Sequence, residues 1–185
     1  MAITAKSIEF NPIKVPASAD NKAKTAEIVR GLDPRMQQAK KHIDLGEYQL
    51  ALERIAINTS DAELLNCRAV CFMRLNRFHE AIQVLRRVAL NTGTFQIRQE
   101  VAAHIKINYA IALFYGGEAA GGIGALGEIQ LENDPAVKML RAQARKWVAG
   151  MSFLSRLDWH IDRIAPKTRP ALPQEPLGQF VWDIS

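Results

Sequence analysis

Apolar residues recur at three- and four-residue intervals over most of the chain from Asp33 onward, the spacing that places them on one face of a helix. Met36, Ala39, Ile43 and Leu45 predict a first helix, opened by Asp33 as N-cap with Pro34 at the first helical position, where a missing N–H is harmless. Gly46 ends it, Tyr48, Ala51, Leu52 and Ile55 form the stripe of an antiparallel second helix, and Asn58 to Asp61 close the hairpin. Residues 62–90, AELLNCRAVCFMRLNRFHEAIQVLRRVAL, carry the clearest pattern: two amphipathic helices joined at Asn76, with small Ala81 where the backbones approach. A third pair runs from Gln96 to Tyr115, with Val101, Ile105, Ala110 and Leu113 on its packed side, turns at Gly116 and Gly117, and continues through Ala119, Gly122, Leu126 and Ile129. That last helix also contains Gly121, Gly124 and Gly127. Each interior glycine costs about 0.5 to 1 kcal/mol relative to alanine, so packing must hold the helix, with an unusually close neighbour as one way of doing so.

Asp134 and Pro135 repeat the start signal of Asp33 and Pro34. Val137, Leu140, Ala144, Trp147, Met151, Leu154, Ile161 and Ile164 then predict one long helix over about 135–164, with Lys138, Arg141 and Arg145 on its polar face and Gly150 as a point of kinking or division. Pro166, Pro170, Pro173 and Pro176 enforce extended chain up to a final apolar cluster of Leu177, Phe180, Val181, Trp182 and Ile184. A solvated tail has no need of such residues. Residues 1–30, with Pro12, Pro16 and several lysines but no sustained period, read as a flexible arm. The expected organisation is therefore an arm (1–30), a helical domain (31–164; hairpins about 33–58, 62–91 and 96–131, then the long helix) and a proline-rich tail with an apolar end (165–185).

Leu65, Arg68, Ala69 and Phe72, then Asn76, then Phe78, Ala81, Leu85 and Val88 make the middle hairpin resemble a tetratricopeptide repeat. Arg68 and Asn76 depart from the family's usual Leu and Gly; Asn enters the left-handed conformation more readily than other non-glycine residues. The resemblance covers about residues 33–131, in a divergent form: Ala39, Ala69 and Ala110 stand 30 and 41 residues apart, against the family's usual spacing of about 34. It implies an all-α, right-handed stack of antiparallel helical hairpins, capped by the long C-terminal helix, with a concave surface that binds. The family's ligand-facing positions map onto Met36, Lys40 and Ile43, then Glu63, Asn66, Val70, Met73 and Arg74, then Ile107, Ile111, Phe114 and Tyr115. Lys40, Asn66 and Arg74 have the residue types with which some members clamp a C-terminal carboxylate, but Met36 and Val70 sit where two further clamp polar groups belong. The apolar stripe instead implies an extended or helical segment with aliphatic or aromatic anchors, as in the type III secretion chaperones built on this repeat, with Lys40 and Arg74 orienting any acidic flank. The same stripe can equally be covered by the chain's own capping helix or tail. In particular, Phe180 and Trp182 are expected to dock in the groove of their own molecule or of a sister chain, tethering having raised their effective concentration into the millimolar range.

Composition narrows the function classes. The 185 residues suffice for one sizeable core, and 48% hydrophobic with 7% aromatic residues suits a helical domain. A formal charge of +5, from 24 Lys plus Arg against 19 Asp plus Glu, is mild for this length. Its one local excess lies in 135–164, so a nucleic-acid binder would rest on Lys138, Arg141, Arg145 and Lys146 alone, and nucleic acid is not expected as a partner. Lys6, Glu9, Asn11 and Lys14 interrupt any signal-like apolar run, and no stretch approaches the roughly 18 apolar residues of a membrane span. A cytoplasmic protein without membrane insertion is the expectation. Cys67 and Cys71 lie one helical turn apart, a poor geometry for a disulfide, and lack a second ligand pair, so they read as buried, reduced thiols; no metal or cofactor is expected. His42, His79, His104 and His160 are scattered, and neither HExxH, GxSxG nor a phosphate-cradling Gly-Lys motif occurs. Asp158 and Asp162 flank His160 at a spacing that points to different helix faces. Trp147, Trp159 and Trp182, not interleaved with a dense Lys and Arg cluster, read as packing anchors. The chain is thus expected to be a non-enzymatic protein-binding module, an adaptor, scaffold or chaperone-like protein, with a self-associating structural subunit as the alternative and a homo-oligomer left open.

Overall fold

The first helix starts where an aspartate receives an orphan N–H. Asp33 accepts from Arg35 N at 2.8 Å, and the Arg35 guanidinium and backbone N–H together hold its carboxyl down to about 2. The same device, Asp61 accepting from Leu64 N and Asp134 from Ala136 N and Val137 N, opens the third and seventh helices. The computed structural model describes residues 28, 31–55, 58–162 and 177–184; nearly all of the expected N-terminal arm, and the four prolines of the tail, lie outside the described residues.

Helices α1 (Pro34–Asp44) and α2 (Tyr48–Arg54), α3 (Ala62–Arg74) and α4 (Phe78–Ala89), and α5 (Ala103–Tyr115) and α6 (Ala119–Glu128) form three hairpins, followed by α7 (Pro135–Ala149), α8 (Phe153–Asp162) and a short 3-10 turn, Val181–Asp183. Apart from the single bridge Leu90–Ile97, the described residues are helical or irregular. Each helix from α1 to α7 packs on the next, and α1, α3, α5 and α7 also pack side by side. One core, from Met36 to Ala144, runs through all of them and is joined by Phe180 and Trp182. None of the described helices is long and apolar enough to cross a membrane.

The turns use left-handed residues: Gly46 at φ +75° behind α1, and Asn76 at φ +58° between α3 and α4. Among the glycines of α6 only Gly122 makes a close approach, since a Cβ there would lie 3.0 Å from the Phe114 ring; at Gly124 and Gly127 a side chain would meet open space.

Two elements differ from expectation. The third hairpin's first helix begins at Ala103 rather than Gln96, because residues 90–102 are tied into a loop by Asn91 N to Gln96 O, Arg98 N to Ala89 O and Ile97 N to the Glu128 carboxylate. The single capping helix of about 135–164 is two helices. Gly150 closes α7, Ser152 Oγ accepts from Ser155 N to start α8, and Arg156 donates to Ala149 O at 2.6 Å and Met151 O at 3.3 Å, satisfying the carbonyls that the break releases.

An arginine does the same at two other joints. Arg68 of α3 donates to Leu52 O and Ile55 O at the end of α2, and Arg141 of α7 donates to Leu126 O and Ile129 O at the end of α6. Both are the seventh residue of their helix and both reach carbonyls three residues apart. A buried helix end needs such donors, and a cation also complements the helix dipole. Arg68→Met keeps the stem and removes the donors, so urea denaturation should show about 1 to 3 kcal/mol lower stability, whereas Arg77→Met, at an exposed ion pair with Glu80, should change it by less than about 1 kcal/mol.

Candidate binding groove

Residues 177–184 lie along α1, α3 and α5, and their backbone is held by side chains. Asn108 of α5 accepts from Gln179 N at 2.9 Å through Oδ1 and donates to Gln179 O at 2.8 Å through Nδ2. Asn66 of α3 adds a second donor to Gln179 O at 3.2 Å, and its Oδ1 accepts from Asn108 Nδ2 at 2.8 Å. Both asparagines are fully buried in an otherwise apolar surface. A buried carboxamide without partners is costly, so the pair requires a peptide group, or an equivalent donor and acceptor, at this place.

One residue earlier, Arg74 Nη2 donates to Gly178 O at 3.2 Å, while Arg74 Nε is buried without an acceptor among the described residues. Gly178 has φ +81° and lies directly on Val70 and Met73; a Cβ there would run into Met73 Cε and come within 3.2 Å of Val70. Glycine is needed here on both counts. Downstream, the Phe180 and Trp182 rings stack at 4.8 Å and are 4% and 7% exposed, and the Lys40 ammonium of α1 stands 5.4 Å from the Trp182 ring centroid. Lys40 is also paired with Asp44 at 2.7 Å. Asp183 Oδ2 accepts from Phe180 N at 3.0 Å and closes the final turn.

Of the residues selected from sequence, Lys40, Asn66, Val70, Met73 and Arg74 meet this segment. Ile107 and Phe114 are core residues, Phe114 with its ring on Gly122 in α6; Ile111 is half-buried; and Tyr115 stacks on Phe78 of α4 at 5.2 Å. The ligand-facing positions expected in α5 therefore include core residues and miss Asn108, which makes two hydrogen bonds to the segment. A signal for it exists: α5 is apolar nearly all round, and His104, Lys106 and Asn108 interrupt it. Polar residues inside a buried helix need partners. His104 Nε2 has one in Glu63 at 3.0 Å, Lys106 Nζ in Gln99 O at 2.7 Å, and Asn108 in the tail.

Other chemistry is sparse. Cys67 and Cys71 are buried free thiols, and the hydrogen bond between them, together with burial, pushes the Cys67 thiol well above its ordinary range. Among the described residues no cluster of His, Cys, Asp and Glu forms a metal cage. The chain matches no family model, no curated protein and no solved structure.

The groove's charge gives the tail a pH dependence. Asp183 is an exposed residue, yet the partial burial of its carboxyl raises its pKa from the ordinary value, against the pull of the Phe180 N–H, Arg74 and Lys40. Its protonated form is favoured in the seated tail, so seating is firmest below the free carboxylate pKa and weakens as pH rises through the raised value. The protection factor of the Gln179 amide, corrected for intrinsic exchange, should fall as pH rises from about 4 to about 7, and Asp183→Asn should flatten that dependence.

Proposed function

We propose that the chain is a non-enzymatic protein-interaction module, a tetratricopeptide-like right-handed stack whose concave face takes an apolar peptide or helix of a partner protein, and that its own C-terminal segment is a stand-in for that ligand. The observation that carries this reading is the bracket of Asn108 on the Gln179 peptide group, both N–H and C=O at once. Carboxamides that hold main chain fix a segment in register whatever its side chains, and flanking apolar surface then chooses among those side chains. Here that choice reads as glycine on Val70 and Met73 and aromatic residues two and four positions later. The Nε of Arg74, buried and without an acceptor among the described residues, offers a further donor to a ligand. A tethered tail acts at millimolar effective concentration, so a partner segment must compete with it.

A second reading is favoured by the depth to which Phe180 and Trp182 are buried: the tail closes the groove permanently and the chain is a structural subunit. One titration separates the two. The full-length Gly178→Val chain keeps its tail but cannot seat it, folding being checked by circular dichroism. A fluorescent peptide of residues 177–184 should bind this chain about tenfold more tightly than wild type, as expected when a millimolar competitor is removed from a site of about 100 µM affinity. Asn108→Ala in the Gly178→Val chain should abolish that binding. A folded Gly178→Val chain that ignores the peptide leaves the permanent closure standing.

A further inference from the structure

Helix α8 turns an apolar stripe to the outside. Phe153 is 79% exposed, Leu154 71%, Ile161 67% and Leu157 45%, and on a helix these four span only about 100° of arc. Helix α8 is nevertheless anchored: Trp159, on its other side, is buried edge-on against Trp147 at 5.8 Å, and Arg156 ties its first turn to the end of α7. Beside it, between α6 and α7, lies a cavity of about 620 Å³ floored by Ile123, Leu126, Ala144 and Val148. Its cationic lining is Arg141, Arg145 and Arg156, with no carboxylate among the lining residues. In a stack of hairpins this is where the helix after α7 would pack, yet α8 stands beside the seat with its stripe turned away.

We propose that the chain forms a two-fold dimer in which α8 of each copy occupies the seat between α6 and α7 of the other. Stripe and seat are both apolar and both belong to one chain, so two copies satisfy each other by a closed, isologous exchange. Charge agrees. Asp158 is exposed and lies about 40° beyond Leu154 at the edge of the stripe, and it meets a seat whose charged residues are all arginines. Arg141 and Arg156 each donate to two carbonyls at helix ends, whereas Arg145 donates, through Nε at 3.4 Å, to Arg141 O of its own helix, so Arg145 is the one that faces Asp158 of the second copy. A membrane-surface helix would border its apolar face with basic residues on both sides, whereas α8 has Asp158 on one edge and Arg156, about 60° before Phe153, on the other. The stripe is wider than solitary surface residues on a monomer normally make. This dimer leaves the groove of α1, α3 and α5 untouched and stands independently of its ligand.

Sedimentation equilibrium of the full-length chain between about 1 and about 200 µM should show a species of twice the monomer mass. Leu157→Glu, at an exposed position that does not endanger folding, should weaken the dimer at least tenfold. Arg145→Glu and Asp158→Arg should each weaken it, and together restore it. A wild-type chain that stays monomeric throughout, a Leu157→Glu chain that dimerises like wild type, or a double charge swap no better than either single one overturns the proposal. So does a monomer that sediments with phosphatidylserine-rich vesicles in a Leu157-dependent way, which would make the stripe a membrane contact.

Discussion

A helical hairpin has one apolar face more than it can bury by itself, and the architecture follows from how each surplus face is covered. Within the stack the cover is the next hairpin: α2 meets α3, α4 meets α5 and α6 meets α7. Along α1, α3 and α5 it is the segment 177–184, which contributes Phe180 and Trp182 to the same core. At the far end the series stops, and the exposed stripe of α8 and the seat beside it are what remains.

Covering apolar faces buries backbone ends, and polar side chains are placed where that happens. Arg68, Arg141 and Arg156 take up the carbonyls that α2, α6 and α7 cannot satisfy internally. Arg68 stands where the family resemblance has leucine. Its position, seventh in a helix that follows a buried helix end, recurs in Arg141, so the departure has a structural cause at that joint. Asn66 and Asn108 belong to the same logic turned toward a peptide: a polar pair in an apolar wall, held to each other and to a third group supplied from far along the chain.

The mode of tail contact also determines what the groove can accept. Main-chain bonds at Gly178 and Gln179 give register, the left-handed glycine allows the chain to lie directly on Val70 and Met73, and the stacked aromatics supply buried area. The acidic end meets two cations but loses hydration as it seats, so its charge opposes burial.

By itself the sequence determined which stretches are helical and where most of them start and turn. Those properties are local: the 3.6-residue period of Met36, Ala39 and Ile43, the aspartate caps at 33 and 134, and the left-handed turns at Gly46 and Asn76 depend on neighbours a few residues away. It also showed that the apolar end of the tail needs a cover. Tertiary structure alone decided which surfaces meet. Asn108 is indistinguishable from any interior polar residue until Gln179, 71 residues later, arrives beside it. The division of α7 from α8 was legible only as a choice at Gly150, because a helix-compatible pattern continues on both sides; it is resolved by Ser152 and Arg156 capping the two new ends. Residues 96–102 are loop where helix was expected, because Glu128, at the end of α6, takes the Ile97 N–H. Periodicity records which face of a helix is to be buried, and carries no record of what will bury it.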